Sequence, residues 1–402
     1  MSSMLKRGWS SSAASLCLLL VLWGPQAQAL EATVTAQYRA QASGRFENTT
    51  PLASYCRRWP AECTGIPAMQ IPISYSRTTV TAAPDVRDRF YIQLPGPRQV
   101  DVFHETTGEN HSLRFELTAV SQQVTGGDHY RNNPAYTAYA RGGCQYRKTF
   151  SYNRMPAITW YLWTLRTPQA PTGCHSDPEV GNAGQVIDID VSEMGVAYNL
   201  DMPAPYRMKP GIYTGSVSYT IGPGGDFDFG NNVRNLNGDS LTLNFRLDVQ
   251  HAFIFDFPPG SERAVLEPPG GWQAWLGGRG APQRLNRDLP FRLWSTGPFK
   301  VYKLCRYNLA SGCGIRNDAG HQVPVEIALS LPGGIQHAGG AVQKLPLPTG
   351  RGNALAFDSV TPVLNRPGQL HFEVAGPDVR TMLAHPGSRY EGEVTVVFDA
   401  QL

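Results

Sequence analysis

Two stretches of this chain carry one pattern. Residues 209–222 read KPGIYTGSVSYTIG, and residues 385–399 read HPGSRYEGEVTVVFD. In each, a Pro-Gly turn precedes a tyrosine, a glycine two residues later, and an alternation of apolar with small polar side chains. Tyr213, Gly215 and Val217 correspond to Tyr390, Gly392 and Val394. A period of two puts every second side chain on one face, which suits a strand and not a helix. A closing strand used twice predicts two related β-domains in tandem. Only Ala400, Gln401 and Leu402 follow the second copy, so that domain is expected to close on its last strand with nothing beyond it to pair.

The rest of the chain agrees with an all-β reading. Short alternating runs lie at Glu31–Tyr38, Met69–Tyr75, Arg89–Leu94, Val100–Phe103, Ser112–Leu117, Ile158–Leu165, Val186–Val191, Gly215–Ile221 and Leu241–Val249. Pro-Gly, Gly-Gly and Asn-Gly turns stand between them. Helical periodicity is confined to one or two turns at Asp378–Ala384. A break falls at Gln250-His251, where one strand ends and AFIFDF begins. Beyond it, runs at Ala264–Leu266, Phe291–Trp294, Phe299–Arg306, Val323–Leu331, Leu370–Val374 and Glu393–Ala400 have the spacing of a Greek-key sandwich. The link is short and not Ser/Gly-rich, so the two units are expected to sit semi-rigidly.

Residues 1–29 read as an address. Lys6 and Arg7 precede the apolar run Leu16–Trp23, and Ala27-Gln28-Ala29 fits a signal-peptidase site. The run is far shorter than the ~20 apolar residues of a membrane span. Cleavage would start the exported chain at Leu30, leave its charge nearly balanced and argue against nucleic acid as a partner. It would also remove Cys17, leaving six cysteines in neighbouring pairs: Cys56/Cys63, Cys144/Cys174 and Cys305/Cys313. An even count in an exported chain predicts disulfides, here paired in sequence order because each pair closes a short loop. The spacing is not a zinc pattern, and no metal or cofactor is expected.

The order of these features resembles the tip adhesins of alternate chaperone–usher fimbriae, the colonisation-factor and cable-pilus group called CblD-like pilus biogenesis initiators. The carrying features are the tight pair Cys56–Cys63 after Tyr55, the wider pair Cys144–Cys174, the strand introduced by Pro210-Gly211, and Phe299–Cys305 leading to Cys313. The last forty residues match best: Pro362-Val363-Leu364, Pro367-Gly368-Gln369-Leu370 and Tyr390-Glu391-Gly392. The resemblance implies an Ig-like adhesin domain followed by an Ig-like pilin domain, which the signal peptide at 1–29 and the break at Gln250-His251 bound to 30–250 and 251–402. It further implies that the pilin sandwich lacks a strand. A periplasmic chaperone supplies that strand first and a major pilin subunit afterwards, at an outer-membrane usher. Val394, Val396, Phe398 and Ala400 then share one face of the chaperone- and subunit-binding strand and Thr395, Val397 and Asp399 the other, one set packing inward. Without the resemblance the segment reads as an ordinary closing strand of a complete sandwich. The family's arginine-containing receptor cluster is not matched: Gly222-Pro223-Gly224-Gly225 stands after the strand, with Asp226 and Asp228 beyond.

Residues 130–166 are the candidate receptor region. Sugars are held by stacking C–H faces on aromatic rings and by planar donors, and Tyr136, Tyr139, Arg141, Arg147 and Arg154 are the candidates. Trp160, Tyr161 and Trp163 are expected in the core. Asp226–Asp228 lacks a calcium-loop register and reads as a polar turn, and Asp188 and Asp190 read as solvent-facing carboxylates. No nucleophile elbow, zinc-protease or phosphate-loop motif is present, and the nine histidines are scattered. The expected function is a fimbrial tip subunit that binds a surface glycan and starts the fibre. The rivals are a structural minor pilin without a receptor and an exported carbohydrate-active enzyme. The strand Glu31–Tyr38 discriminates: protruding, it is a donor strand; built into the first sheet, it belongs to a cap.

Overall fold

Strand alternation governs nearly every ordered segment. The computed structural model describes residues 29–40, 43–126, 137–152, 156–177, 182–276, 280–310 and 312–400. Among them no helix is long and apolar enough to cross a membrane.

In the first half the main elements are β1 (Ala29–Arg39), α1 (Ser54–Arg58), β2 (Tyr75–Val80), β3 (Arg98–His104), β4 (Asn110–Gly126), β5 (Cys144–Tyr152), β6 (Ala157–Leu165), β7 (Val186–Asp201), β8 (Gly211–Thr220) and β9 (Ser240–Gln250). They join in one sheet ordered β2-β7-β4-β3-β8-β9-β1. The long β4 forks it: Asn110–Phe115 pairs with β3, whereas Ala119–Gly126 pairs with β6, and β6 pairs onward with β5. Strand β1 lies parallel to β9 in unbroken register from Ala29↔Ser240 to Arg39↔Gln250. The core follows from the alternation. On β9, Leu241, Leu243, Phe245, Leu247 and Val249 are each at most 1 % exposed. Such burial is worth about 1.5–3 kcal/mol per side chain as an upper figure. Tyr161 and Trp163 join this core.

The opposite face of the same sheet carries a smaller cluster. Tyr55 and Cys56 of α1 pack there with Ala119, Leu162 and Ala197. Gly195 makes this possible: a Cβ there would lie 2.8 Å from the Tyr55 ring. The disulfide Cys56–Cys63 fixes the end of α1, and Cys144–Cys174 ties the start of β5 to the short strand Cys174–Ser176.

In the second half, β10 (Phe253–Asp256), β11 (Arg284–Ser295), β12 (Phe299–Cys305), β13 (Gly312–Arg316), β14 (Gln322–Ser330), β15 (Leu355–Ser359), β16 (Val363–Ala375), α2 (Gly376–Leu383) and β17 (Val394–Asp399) form two sheets. One runs β10-β11-β16-β14-β13, the other β15-β12-β17. A separate core lies between them, with Phe291, Leu293, Ile327 and Leu329 on one side and Phe299, Val301 and Phe357 on the other. Cys305–Cys313 links β12 to β13, and hence one sheet to the other.

Three sequence expectations change. The first repeat copy, β8, is not a closing strand: it lies between β3 and β9, and β9 comes last. What the copies share is a close backbone approach. A Cβ on Gly215 would meet the Asp101 carbonyl at 2.3 Å, and one on Gly392 the Gly314 carbonyl at 2.6 Å. The run Met69–Tyr75 is broken between short strand Ala68–Gln70 and β2, because Pro72 has no N–H to give a ladder. Ala264–Leu266 is not a strand; pairing begins and ends at the single bridge Glu267↔Asn286.

The halves meet at His251. Its Nε2–H donates to the Met208 carbonyl at 2.7 Å, and its ring stands edge-on to Tyr38 at 5.7 Å. Gly297 lies beneath it: a Cβ there would come within 2.4 Å of the imidazole.

Candidate functional site

The second-half sandwich is closed on one side and open on the other. On the closed side, the segment before β17 crosses from sheet to sheet. Arg316 and Glu391 exchange backbone hydrogen bonds at 2.9 and 3.0 Å. The Tyr390 hydroxyl meets His321 Nδ1 at 2.8 Å, and the His321 and His385 rings pack at 4.5 Å. Burial raises the Tyr390 pKa, partly offset by a hydrogen bond from Asn317, so the group stays a neutral hydroxyl.

On the open side two edge strands face each other. β17 pairs with β12, from Lys300↔Asp399 to Cys305↔Val394, and with no other strand among the described residues. β10 pairs only with β11 there. Successive backbone groups of a strand point to alternate neighbours, so roughly half of those on β17 have no ladder partner. Between the edges lies a groove of about 1540 Å³. Val394, Val396 and Phe398 line one wall, and Ala400 packs on the same core. Leu285, Leu289, Leu370 and Phe372 form the floor, with Val379 and Met382 of α2 at one end. Phe398 spans the opening, 4.2 Å from Phe255 and 6.1–6.4 Å from Phe253, Phe291 and Phe299. Val394, Val396 and Phe398 on the wall are half-buried, whereas Leu285, Leu289 and Leu370 on the floor are buried. Arg306 and Glu393 stand on the rim, and the Arg316–Glu391 crossing closes one end of the groove. Such a groove accepts an extended segment whose alternate side chains are apolar and whose backbone completes the ladder.

The receptor candidates are dispersed. Tyr139 is 53 % exposed. Arg141, on the short strand Ala140–Gly142, is ion-paired with Asp177 at 2.5 Å. Arg147, at a bulge of β5, pairs with Glu62 at 3.0 Å. No hydrogen bond, ion pair or ring contact joins Tyr139 or Arg141 to Arg147 among the described residues. Both guanidiniums thus already have carboxylate partners. Tyr136 and Arg154 lie outside the described residues. Asp228 is not the open turn residue the sequence suggested: it is buried and held at 2.6 Å by Arg87. Asp188 and Asp190 do face solvent and bond Thr78 and Ser76 across the strands. No group of three or more metal-ligating side chains is found among the described residues.

Sequence reasoning missed the groove floor, since Leu285, Leu289 and Phe372 carry no local mark that separates them from ordinary core. It also missed Arg58, Phe150 and Glu193, which lie on three different elements.

No family model and no curated protein matches the chain. Among solved structures it is similar to a chaperone–tip adhesin complex of CFA/I fimbriae biogenesis, at 10% identity and TM-score 0.25, covering 93% of this chain and 97% of that one. It is also similar to a mutant of the CFA/I adhesin CfaE from enterotoxigenic E. coli, at 10% identity and TM-score 0.27 over 92% of each chain. A third is the CsuC–CsuE chaperone–tip adhesion subunit pre-assembly complex of archaic Csu pili from Acinetobacter baumannii, at 9% identity and TM-score 0.20, covering 92% and 99%. At these TM-scores the functional reading rests on the groove and its edges.

Proposed function

We propose that this chain is a non-enzymatic tip subunit of a chaperone–usher fimbria. In this reading residues 1–29 are a signal peptide, 30–250 an adhesin domain and 251–402 a pilin-type domain. The protein passes through the periplasm to the fimbrial tip at the cell surface. The observation that carries the reading is the open apolar groove between two sheet edges, β10 and β17, neither of which has a second strand partner among the described residues. A periplasmic chaperone strand fills it first, and the donated strand of a major pilin subunit replaces it at the outer-membrane usher. Val394, Val396, Phe398 and Ala400 present the apolar wall, while the outer edge of β17 supplies the ladder. Strand β1 supports a place at the end of the fibre: β9 engages all eleven of its residues, so it is not free to act as a donor. Receptor binding, to a surface glycan, falls to the first half.

The test is chaperone capture. Deleting residues 391–402, or substituting Val396→Asp in the intact chain, is expected to abolish co-purification with a fimbrial chaperone. Undiminished capture of both variants would overturn the reading.

A further inference from the structure

One exposed cluster of the first half is unlike the rest of its surface. Arg58, at the end of α1, places its guanidinium 4.1 Å from the centre of the Trp160 ring and 4.5 Å from that of Phe150. These two rings are cross-strand partners on β6 and β5. Tyr152 stands edge-on to both, at 5.0 Å from Phe150 and 5.7 Å from Trp160. The Trp160 indole N–H donates to Glu193 at 3.2 Å.

Each member is held in place by the fold. α1 is seated by the small outer core and tied down by Cys56–Cys63. Trp160 is on the same face of β6 as Leu162, opposite Tyr161 and Trp163, and is 9 % exposed. Glu193 sits at the irregularity in β7 between Ser192 and Gly195 with φ +47°. A non-glycine residue adopts that backbone rarely and at some energetic cost, and such residues gather at functional positions.

The cluster is left chemically unfinished. Arg58 has no hydrogen bond or ion pair among the described residues; its contacts are two ring faces. Stacking leaves the in-plane N–H donors of a guanidinium unused. Glu193 accepts from the indole and forms no ion pair among the described residues. Tyr152 is 50 % exposed and Phe150 38 %. A cation and an anion therefore flank one indole, their charges balance, and an open aromatic wall stands beside them.

We propose that Arg58, Phe150, Tyr152, Trp160 and Glu193 form a binding site for a neutral pyranoside. The C–H face of the sugar packs on Tyr152 and Phe150. One hydroxyl accepts from Arg58 and a neighbouring hydroxyl donates to Glu193. The balanced charge favours an uncharged sugar over an acidic one, whose carboxylate Glu193 would repel. The site deepens the receptor-binding part of the proposed function and lies apart from Tyr139 and Arg141.

The probes are methyl gluco-, galacto- and mannopyranoside, with a methyl sialoside as the charged comparator. Binding to the full chain is read by saturation-transfer NMR and tryptophan fluorescence. At least one neutral glycoside is expected to bind. Tyr152→Ala, Arg58→Lys and Glu193→Gln should each weaken it about tenfold or more; Tyr152→Ala alters an exposed ring and should leave the melting temperature unchanged. No neutral glycoside bound would overturn the site, and so would binding that survives all three variants or a preference for the sialoside. Groove occupation by a strand peptide, measured on the same samples, separates the outcomes. Peptide binding without sugar binding sinks this site and leaves the assembly reading intact.

Discussion

Phe398 tests the open groove quantitatively. Its ring touches Phe255 at 4.2 Å and stands within 6.4 Å of three more phenylalanines from both sheets, yet it is only half-buried. Truncating a fully buried phenylalanine to alanine costs about 3–5 kcal/mol. With part of the ring open to the groove, Phe398→Ala should cost the free protein roughly 2 kcal/mol. Once a strand covers the groove, the same substitution should cost the full amount. The difference, about 1–3 kcal/mol, must appear as weaker strand binding, roughly 5- to 150-fold in Kd. The assay is urea denaturation with and without a synthetic peptide of about ten residues alternating Val or Leu with Thr and Lys. Peptide at a hundred times its Kd should stabilise the parent by about 2.7 kcal/mol. The reasoning fails if Phe398→Ala costs the same with and without peptide, or if the peptide stabilises neither protein.

Three further outcomes are expected. Arg77 is fully buried on β2 and donates to the carbonyls of Tyr91, Arg87, Arg89 and Phe229. Leaving those acceptors unpaired costs about 1–3 kcal/mol each, so Arg77→Met should lower the urea midpoint by the equivalent of 3 kcal/mol or more, roughly; a shift under about 1 kcal/mol refutes the role. Serine at both Cys305 and Cys313, eight residues apart, should cost about 2.5 kcal/mol, and at Cys144 and Cys174, thirty apart, about 3.6 kcal/mol; equal midpoints for parent and variants count against it. Burial lowers the His251 pKa, partly offset by its bond to Met208. The folded protein therefore binds fewer protons than the unfolded chain. The stability from neutral His251 is complete above pH ~6.5 and declines as pH falls below it. His251→Gln should flatten the change in urea midpoint between pH 7.5 and 5.5, and an unchanged slope argues against the buried imidazole.

Alternation made the strands legible. β9 reads in the sequence as it folds, because one face is wholly buried and the other is wet. The short cysteine loops were legible for the same local reason, as was the core placement of Tyr161 and Trp163. Sheet order was not. That β1 would lie parallel to β9, two hundred residues on, leaves no local signature. Nor does the fork in β4, which depends on two partners meeting one strand at different heights. Trp160 was expected in the core, and it is buried, but by Arg58 on the outer face and not by the inner core. A charged side chain from a remote helix covers it, which no pattern within residues 130–166 encodes. The arginines 141 and 147 looked available for a ligand only because Asp177 and Glu62, distant in sequence, were invisible as their partners.

The parallel pairing of β1 with β9 has a mechanical consequence. A pull on the second half enters the first through the end of β9, one residue before His251, which meets Met208 and Tyr38. Hydrogen bonds across a ladder run sideways to the strands, so tension along β9 loads its contacts with β1 and β8 together, in shear, and does not peel them one at a time. The first half is thereby tethered by its strongest direction.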